Sequence, residues 1–196
     1  MYLCRHFFHA DMAKPTLFTE YKERGRSHMW YVIQVRTGTE REIIRQCQTV
    51  IPKETLEKSF LPCFEEMKRY HGAWHKEQKL LFPGYVFLIS GDPEQLYRSL
   101  KPVIGLTKLL KTGDQIISLT ESEIQFLLRF GGTEHLVKMS TGFVEQDQII
   151  ILDGPLKGME GYIKKIDRHR REASLELPMF GRILDVKVGL EIIGKK

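Results

Sequence analysis

Beyond Gly142 the sequence reduces to short strand-like runs, and this limits the folds open to it. Gln148 to Leu152, Gly161 to Ile166, Ala173 to Leu177 and Ile183 to Val188 are apolar, β-branched segments separated by turn residues. Closely spaced short strands in so short a tail point to a small barrel. Thr133 to Gly142, just upstream, reads as a linker.

The preceding part mixes both periodicities. Trp30 to Arg36 is a strand rich in aromatic and β-branched residues. Thr37-Gly38-Thr39-Glu40 then turns into a helix on which Ile43, Cys47, Val50 and Ile51 recur at helical spacing, with Pro52 as the stop. Arg41 and Arg45 stand four apart and share one side of it. After the apolar segment Phe60 to Phe64, the charged stretch Glu65 to Lys79 carries Gly72 near its middle and reads as a hairpin reaching into solvent. Leu80 to Ile89 returns to a buried strand around the Pro83-Gly84 turn. Alternation puts Tyr85 and Phe87 on one face and Val86 and Leu88 on the other. Asp92-Pro93 opens a short helix with Leu96 and Leu100 as its buried side. Val103 to Leu110 and Gln115 to Leu119 read as strands around Thr112-Gly113-Asp114. Thr120 to Glu123 forms a capping box for a helix bearing Ile124, Leu127, Leu128 and Phe130, ended by Gly131-Gly132. The expected class is α+β: a domain over 29–132, a linker over 133–142 and a β domain over 143–196. Residues 1–28 lack either periodicity and are interrupted by Pro15 and Gly25, so they read as a poorly ordered extension or tag.

Composition narrows the function classes. Thirty Lys and Arg against 25 Asp and Glu give a net charge of +5, a mild excess that permits a polyanionic partner without demanding one. Residues 143–196 hold ten cationic and nine anionic side chains, so a nucleic-acid surface there must be local. The longest aliphatic stretch is Ile149 to Leu152, far short of the roughly 20 apolar residues that span a bilayer. Met1 to His28 has no continuous apolar segment of the secretory kind. Cys4, Cys47 and Cys63 are odd in number and form no C-x-x-C pair. They argue against a disulfide framework or closed zinc site and fit a reducing cytoplasm. His71 and His75 are separated by Gly72, and Cys4, His6 and His9 lie on the unpatterned start, so no metal site is expected. No nucleophile context is recognisable, and neither a cofactor nor an enzymatic activity is expected.

Three motifs remain. Asp153-Gly154-Pro155-Leu156-Lys157-Gly158-Met159-Glu160-Gly161 is neither a dinucleotide fingerprint nor a Walker loop, and reads as a tight turn with glycines at positive φ. Lys164-Lys165 followed by Arg168-His169-Arg170-Arg171 offers cations with the reach that phosphate-rich RNA needs, and Arg can also bind a guanine edge or stack. The rival reading is a solvated hairpin partly neutralised by Asp167 and Glu172. Lys164 and Lys165 face opposite sides of a strand unless it twists or bulges. Phe82, Tyr85 and Phe87 are either core or an exposed partner-binding set.

Taken in order, Trp30-Tyr31-Val32, Leu81 to Phe87, the Asp153–Gly161 motif and Phe180-Gly181-Arg182 resemble the NusG family of transcription elongation factors. The resemblance runs from Met29 to the C-terminus and implies an NGN-type α/β sandwich with an antiparallel sheet, followed by a five-stranded KOW barrel. Met67 to Lys76, Val103 to Lys108 and Leu127 to Gly132 are similar to the specialised LoaP-type antiterminators. The resemblance implies that Gln34, Phe82, Tyr85 and Phe87 take the clamp helices of a bacterial RNA polymerase, and that Arg36, Arg41 and Arg45 lie near the non-template DNA strand. It implies a nascent leader RNA hairpin on Lys157, Lys164, Lys165, Arg168, His169, Arg170, Arg171 and Arg182. The outcome would be suppressed pausing and termination. A housekeeping adaptor whose KOW domain binds a ribosomal protein or Rho is the nearest alternative.

Overall fold

The computed structural model describes residues 29–195 apart from 110, 113, 114, 117 and 147. The extension over 1–28, with Cys4, His6 and His9, lies outside the described residues, as does the tip of the turn expected at 112–114.

The first part is organised by a four-stranded sheet. β1 (Met29–Val35) pairs antiparallel with β5 (Tyr85–Ser90), from Met29 opposite Ser90 to Gln34 opposite Tyr85. β2 (Lys58–Phe60) and β6 (Leu106–Leu109) complete the order β2-β5-β1-β6. Because strand residues alternate in direction, the central pair feeds two cores. Tyr31, Ile33, Val35, Val86 and Leu88 pack with Ile43, Cys47, Leu96 and Leu100. Trp30, Val32, Tyr85, Phe87 and Ile89 pack on the opposite side with Ile124, Leu127 and Leu128.

The helices end where the local chemistry dictates. α1 (Glu40–Val50) buries Ile43 and Cys47, and Ile51 joins them beyond its last turn. Val50, expected on the same face, is 43% exposed, because its position rotates past the buried stripe. α2 (Pro93–Leu100) is capped by Asp92, whose Oδ1 accepts from the Gln95 N–H at 2.9 Å. α3 (Glu121–Gly131) carries the reciprocal capping box: Thr120 Oγ1 accepts from Glu123 N–H at 3.3 Å, and Glu123 Oε2 accepts from Thr120 N–H at 2.8 Å.

β3 (Cys63–Tyr70) and β4 (Ala73–Leu80) form the long hairpin, turned by His71 and Gly72 at φ 49° and 77°. Leu80 therefore ends this ribbon instead of starting the buried strand, and the 81–84 turn separates it from β5. Between β6 and α3 lie β7 (Lys111–Thr112) and β8 (Gln115–Ile116). The stretch 133–142 contributes β9 (Leu136–Val137), parallel to β3, and the start of β10 (Ser140–Glu145).

The C-terminal region is a sheet of five strands in the order β11-β10-β14-β13-β12. These add β11 (Gln148–Asp153), β12 (Ile163–Asp167), β13 (Glu172–Met179) and β14 (Arg182–Lys195). The first half of β14 pairs antiparallel with β13 and its second half runs parallel to β10. A 3-10 turn, Glu160–Tyr162, precedes β12. In the glycine motif Gly154 and Gly158 take φ 99° and 77°, whereas Gly161 needs no positive φ. A Cβ on Gly154 would stand 2.6 Å from the Ser140 Cα, so the close approach of two backbones requires glycine there. The Ser140 hydroxyl accepts from Leu156 N–H at 3.1 Å, and Leu156 is fully buried. The motif is thus a structural turn.

Candidate functional site

Strand alternation puts Tyr85 and Phe87 on one side of the main sheet, where Phe82 of the preceding turn joins them around an aromatic hollow.

 The three residues are 3%, 8% and 0% exposed. Gln34 is in register with Tyr85 on the neighbouring strand and half-buried. The hollow is filled from within the chain. Phe180, in the turn between β13 and β14, places its ring 5.7 Å from Phe82, 5.5 Å from Tyr85 and 5.8 Å from Phe87, centroid to centroid. Offset and edge-on arrangements at these separations are favourable aromatic contacts. Phe180 and Gly181 take φ 57° and 71°, a left-handed pair that turns a tight hairpin and projects the ring. Phe180 N–H donates to Glu123 Oε1 at 2.7 Å, so the carboxylate that caps α3 also holds this turn. The Arg182 guanidinium lies 5.2 Å from the Tyr85 ring centroid.

Glu40 fixes the loop that carries Phe82 and Tyr85. Its carboxylate is buried, accepting from Gly84 N–H at 2.7 Å and from Gly38 N–H at 2.8 Å. Gly84 sits at φ 83°, and a Cβ there would meet the Val35 carbonyl at 3.3 Å. Sequence reasoning passed over Glu40, because an acidic residue in a first helical turn ordinarily serves the helix dipole in solvent. The available signal was its place between two glycine-containing turns.

The cationic turn is open by contrast. Lys164 falls at a register shift between Ile163 and Lys165, the irregularity that relaxes strict alternation, and both lysines are exposed. Lys164 pairs with Glu176 at 2.9 Å. Asp167 Oδ1 accepts from Arg170 N–H at 3.0 Å, and this bond, with the nearby Arg170 and His169 charges, holds the Asp167 carboxyl below the usual range. Arg168, His169 and Arg170 are exposed, as are Lys157 and Arg182. Arg171 differs. At φ 55° it turns back, stacks its guanidinium 4.1 Å from the Trp74 ring centroid and pairs with Glu191 at 3.0 Å.

Arg36, Arg41 and Arg45 are exposed on α1 and its leading turn, on the layer away from the hollow, and Arg45 pairs with Glu42 at 2.9 Å. Cys47 is buried, which pushes its thiol up to about 11. Burial also raises the Cys63 thiol, which donates to the Leu61 carbonyl. Among the described residues, no cluster of three His, Cys, Asp or Glu side chains is arranged to hold a metal ion, and no helix is long and apolar enough to cross a membrane.

An α/β unit with an aromatic hollow is thus followed by a five-stranded β unit bearing a cationic turn. The chain belongs to the NusG family of transcription factors: the family model described as transcription termination factor nusG matches residues 28–128. It is 25% identical over 173 residues to the transcription termination/antitermination protein NusG of Rickettsia typhi, covering 85% of this chain and 89% of that one. The corresponding protein of Thermus thermophilus is 24% identical over 179 residues, covering 85% of this chain and 97% of that one. The fold is that of a solved Thermotoga maritima NusG structure, described by its domain interaction, with a TM-score of 0.55 at 23% identity over 85% of this chain and 94% of the other. The chain is thus a NusG-type termination/antitermination factor, of a family that is not enzymatic.

Proposed function

We propose that this chain is a LoaP-type processive antiterminator that docks on the clamp helices of a bacterial RNA polymerase and recognises a structured nascent leader RNA. An NGN domain over 29–132 supplies the docking hollow from Gln34, Phe82, Tyr85 and Phe87, and a KOW barrel over 143–196 supplies the RNA surface, with 133–142 connecting them. Arg36, Arg41 and Arg45 face the non-template strand. Lys157, Lys164, Lys165, Arg168, His169, Arg170, Arg171 and Arg182 serve the RNA.

The observation that carries the proposal is the Phe180 ring seated among Phe82, Tyr85 and Phe87. A hollow that accepts an aromatic side chain of its own chain has the shape and chemistry to accept an apolar helix tip. Docking then proceeds by exchange: Phe180 leaves and the clamp enters. The bound factor bridges the polymerase cleft and favours its closed, elongating state, with a strength limited by its differential affinity for the two states. No bond is made or broken.

A second reading, the adaptor that binds a ribosomal protein or Rho, draws support from Ile150, Leu152 and Ile193, which stand 36%, 43% and 62% exposed on the C-terminal sheet. One experiment separates the two. The wild type and a Tyr85→Ala variant are used to capture core polymerase, and the RNA that co-purifies is sequenced. The antiterminator reading expects polymerase capture that falls in the variant, and one leader sequence enriched in the RNA. Undiminished capture by the variant removes the hollow from the interface. RNA without enrichment, alongside a captured ribosomal protein or Rho, favours the adaptor.

A further inference from the structure

The β3–β4 ribbon and the 168–171 turn come from different regions of the chain and meet at Trp74. The contact is closely fitted. A Cβ on Gly189 of β14 would stand 2.4 Å from the Glu65 carbonyl of β3, so the two backbones approach as only glycine permits. The left-handed backbone at Arg171, fixed by the Leu190 N–H bond to its carbonyl at 2.9 Å, aims the guanidinium over the Trp74 ring. Arg69 stands directly opposite Trp74 in the ribbon register, so the two side chains share a face. Arg69 is exposed, with no ion pair among the described residues. Arg168 and Arg170 are exposed on the adjoining turn. A half-exposed indole therefore lies among arginines from both regions.

We infer that Arg69 and Trp74 join the 168–171 turn in one binding surface for single-stranded polynucleotide, on which an unpaired base stacks against the Trp74 ring. The inference rests on the RNA reading of the turn and extends it to the ribbon. The base takes the place of the Arg171 guanidinium, which swings to the neighbouring phosphate, while Arg69 holds the phosphate on the other side. Stacking a base on an aromatic ring is worth more than an exposed cation–π contact, so the exchange is favourable. The freed guanidinium gives up its partly exposed pair with Glu191 for a phosphate it can bind through two N–H groups. A base inside a duplex cannot reach the ring, so the ligand must present a loop, bulge or single strand. The same chemistry occurs in an RNA strand and in an unpaired DNA strand.

Tryptophan emission tests this directly on the full chain. The protein has two tryptophans, and Trp30 is 2% exposed, so a surface ligand is reported by Trp74. The probes are oligouridylate and oligothymidylate of about 12 nucleotides, a fully paired RNA of similar length, and heparin as a polyanion without bases. The expected result is quenching by oligouridylate, none by the duplex or heparin, and competition by heparin for the same surface. Quenching by oligothymidylate alone keeps the stacking surface and assigns it to a DNA strand. With binding read from the anisotropy of an end-labelled oligouridylate, which does not depend on Trp74, Trp74→Ala should weaken binding about tenfold, and Arg69→Ala should lower the salt slope by about 1. Absence of quenching by either oligonucleotide overturns the inference whatever the variants do. If Arg168→Ala and Arg170→Ala weaken binding while Trp74→Ala and Arg69→Ala do not, the ribbon is excluded and the turn retains its RNA role. If none of the four changes binding, the RNA reading of the turn falls as well.

Discussion

The aromatic hollow and the cationic turn respond to water in opposite ways. Phe82, Tyr85 and Phe87 are buried beneath Phe180, whereas Arg168, His169 and Arg170 remain in solvent. An apolar surface gains by covering itself, so a chain with a suitable ring of its own uses it. A cationic surface loses hydration when covered and stays open until a polyanion arrives. On the proposed function the two sites would therefore differ in availability: one must be vacated, the other only approached.

Phe87 decides whether the covered side is core or docking surface. It is fully buried and packs against Phe60 as well as Phe180, so Phe87→Ala should cost about 3–5 kcal/mol of stability by chemical denaturation. A loss under about 1 kcal/mol would make Phe87 part of the hollow's surface and not of the core. Tyr85→Ala, by comparison, should retain its circular dichroism while losing about 2 kcal/mol of affinity for isolated clamp helices by calorimetry. Unchanged affinity in a folded variant removes Tyr85 from the docking surface.

The loop beneath the hollow depends on the Glu40 carboxylate. Glu40→Gln replaces one charged acceptor facing Gly38 and Gly84 with an amide and should lower stability by about 1.5 kcal/mol. A thermal midpoint equal to wild type would mean that the loop holds itself.

His135 adds a pH dependence to the closed side. Its ring stacks 3.7 Å from Phe60, and its Nε2 lies 3.0 Å from Lys58 Nζ. Burial first, and the Lys58 charge second, lower its pKa from 6.5 to about 4. Between those values the unfolded chain binds the proton and the folded chain does not. This contribution to stability is present above pH 6.5 and is lost as pH falls toward 4. Denaturation across that window should give a slope that His135→Asn flattens, and an unaltered slope would assign the dependence to other groups. The smallest effect belongs to the open site: Arg168→Ala should leave stability within about 0.5 kcal/mol and lower the salt slope of RNA binding by about 1.

Much of the fold was legible because it is encoded locally. The split of Tyr85 and Phe87 from Val86 and Leu88 follows from strand alternation with both faces buried, and the Thr120–Glu123 box announces α3 within four residues. The strand β10 was missed because Ser140, Thr141 and Gly142 carry no strand signal of their own and are ordered by pairing with β11 and β14. The candidate sites were legible as residue types and not as states. That Phe180 would sit on Tyr85, or Arg171 on Trp74, depends on segments far apart in sequence. Neither contact leaves a periodic trace. Arg171 in particular reads as one more free cation until its left-handed backbone and its pair with Glu191 are seen.

The exchange at the hollow is tested most directly by titrating an isolated clamp-helix hairpin of a bacterial RNA polymerase into the wild type and into Phe180→Ala. If the open form is a minor state of about 10% or less, removing the competing ring should tighten binding at least roughly tenfold. Circular dichroism should remain that of the wild type. Equal or weaker binding by a folded Phe180→Ala variant would mean that the clamp and Phe180 do not compete for the same aromatic hollow.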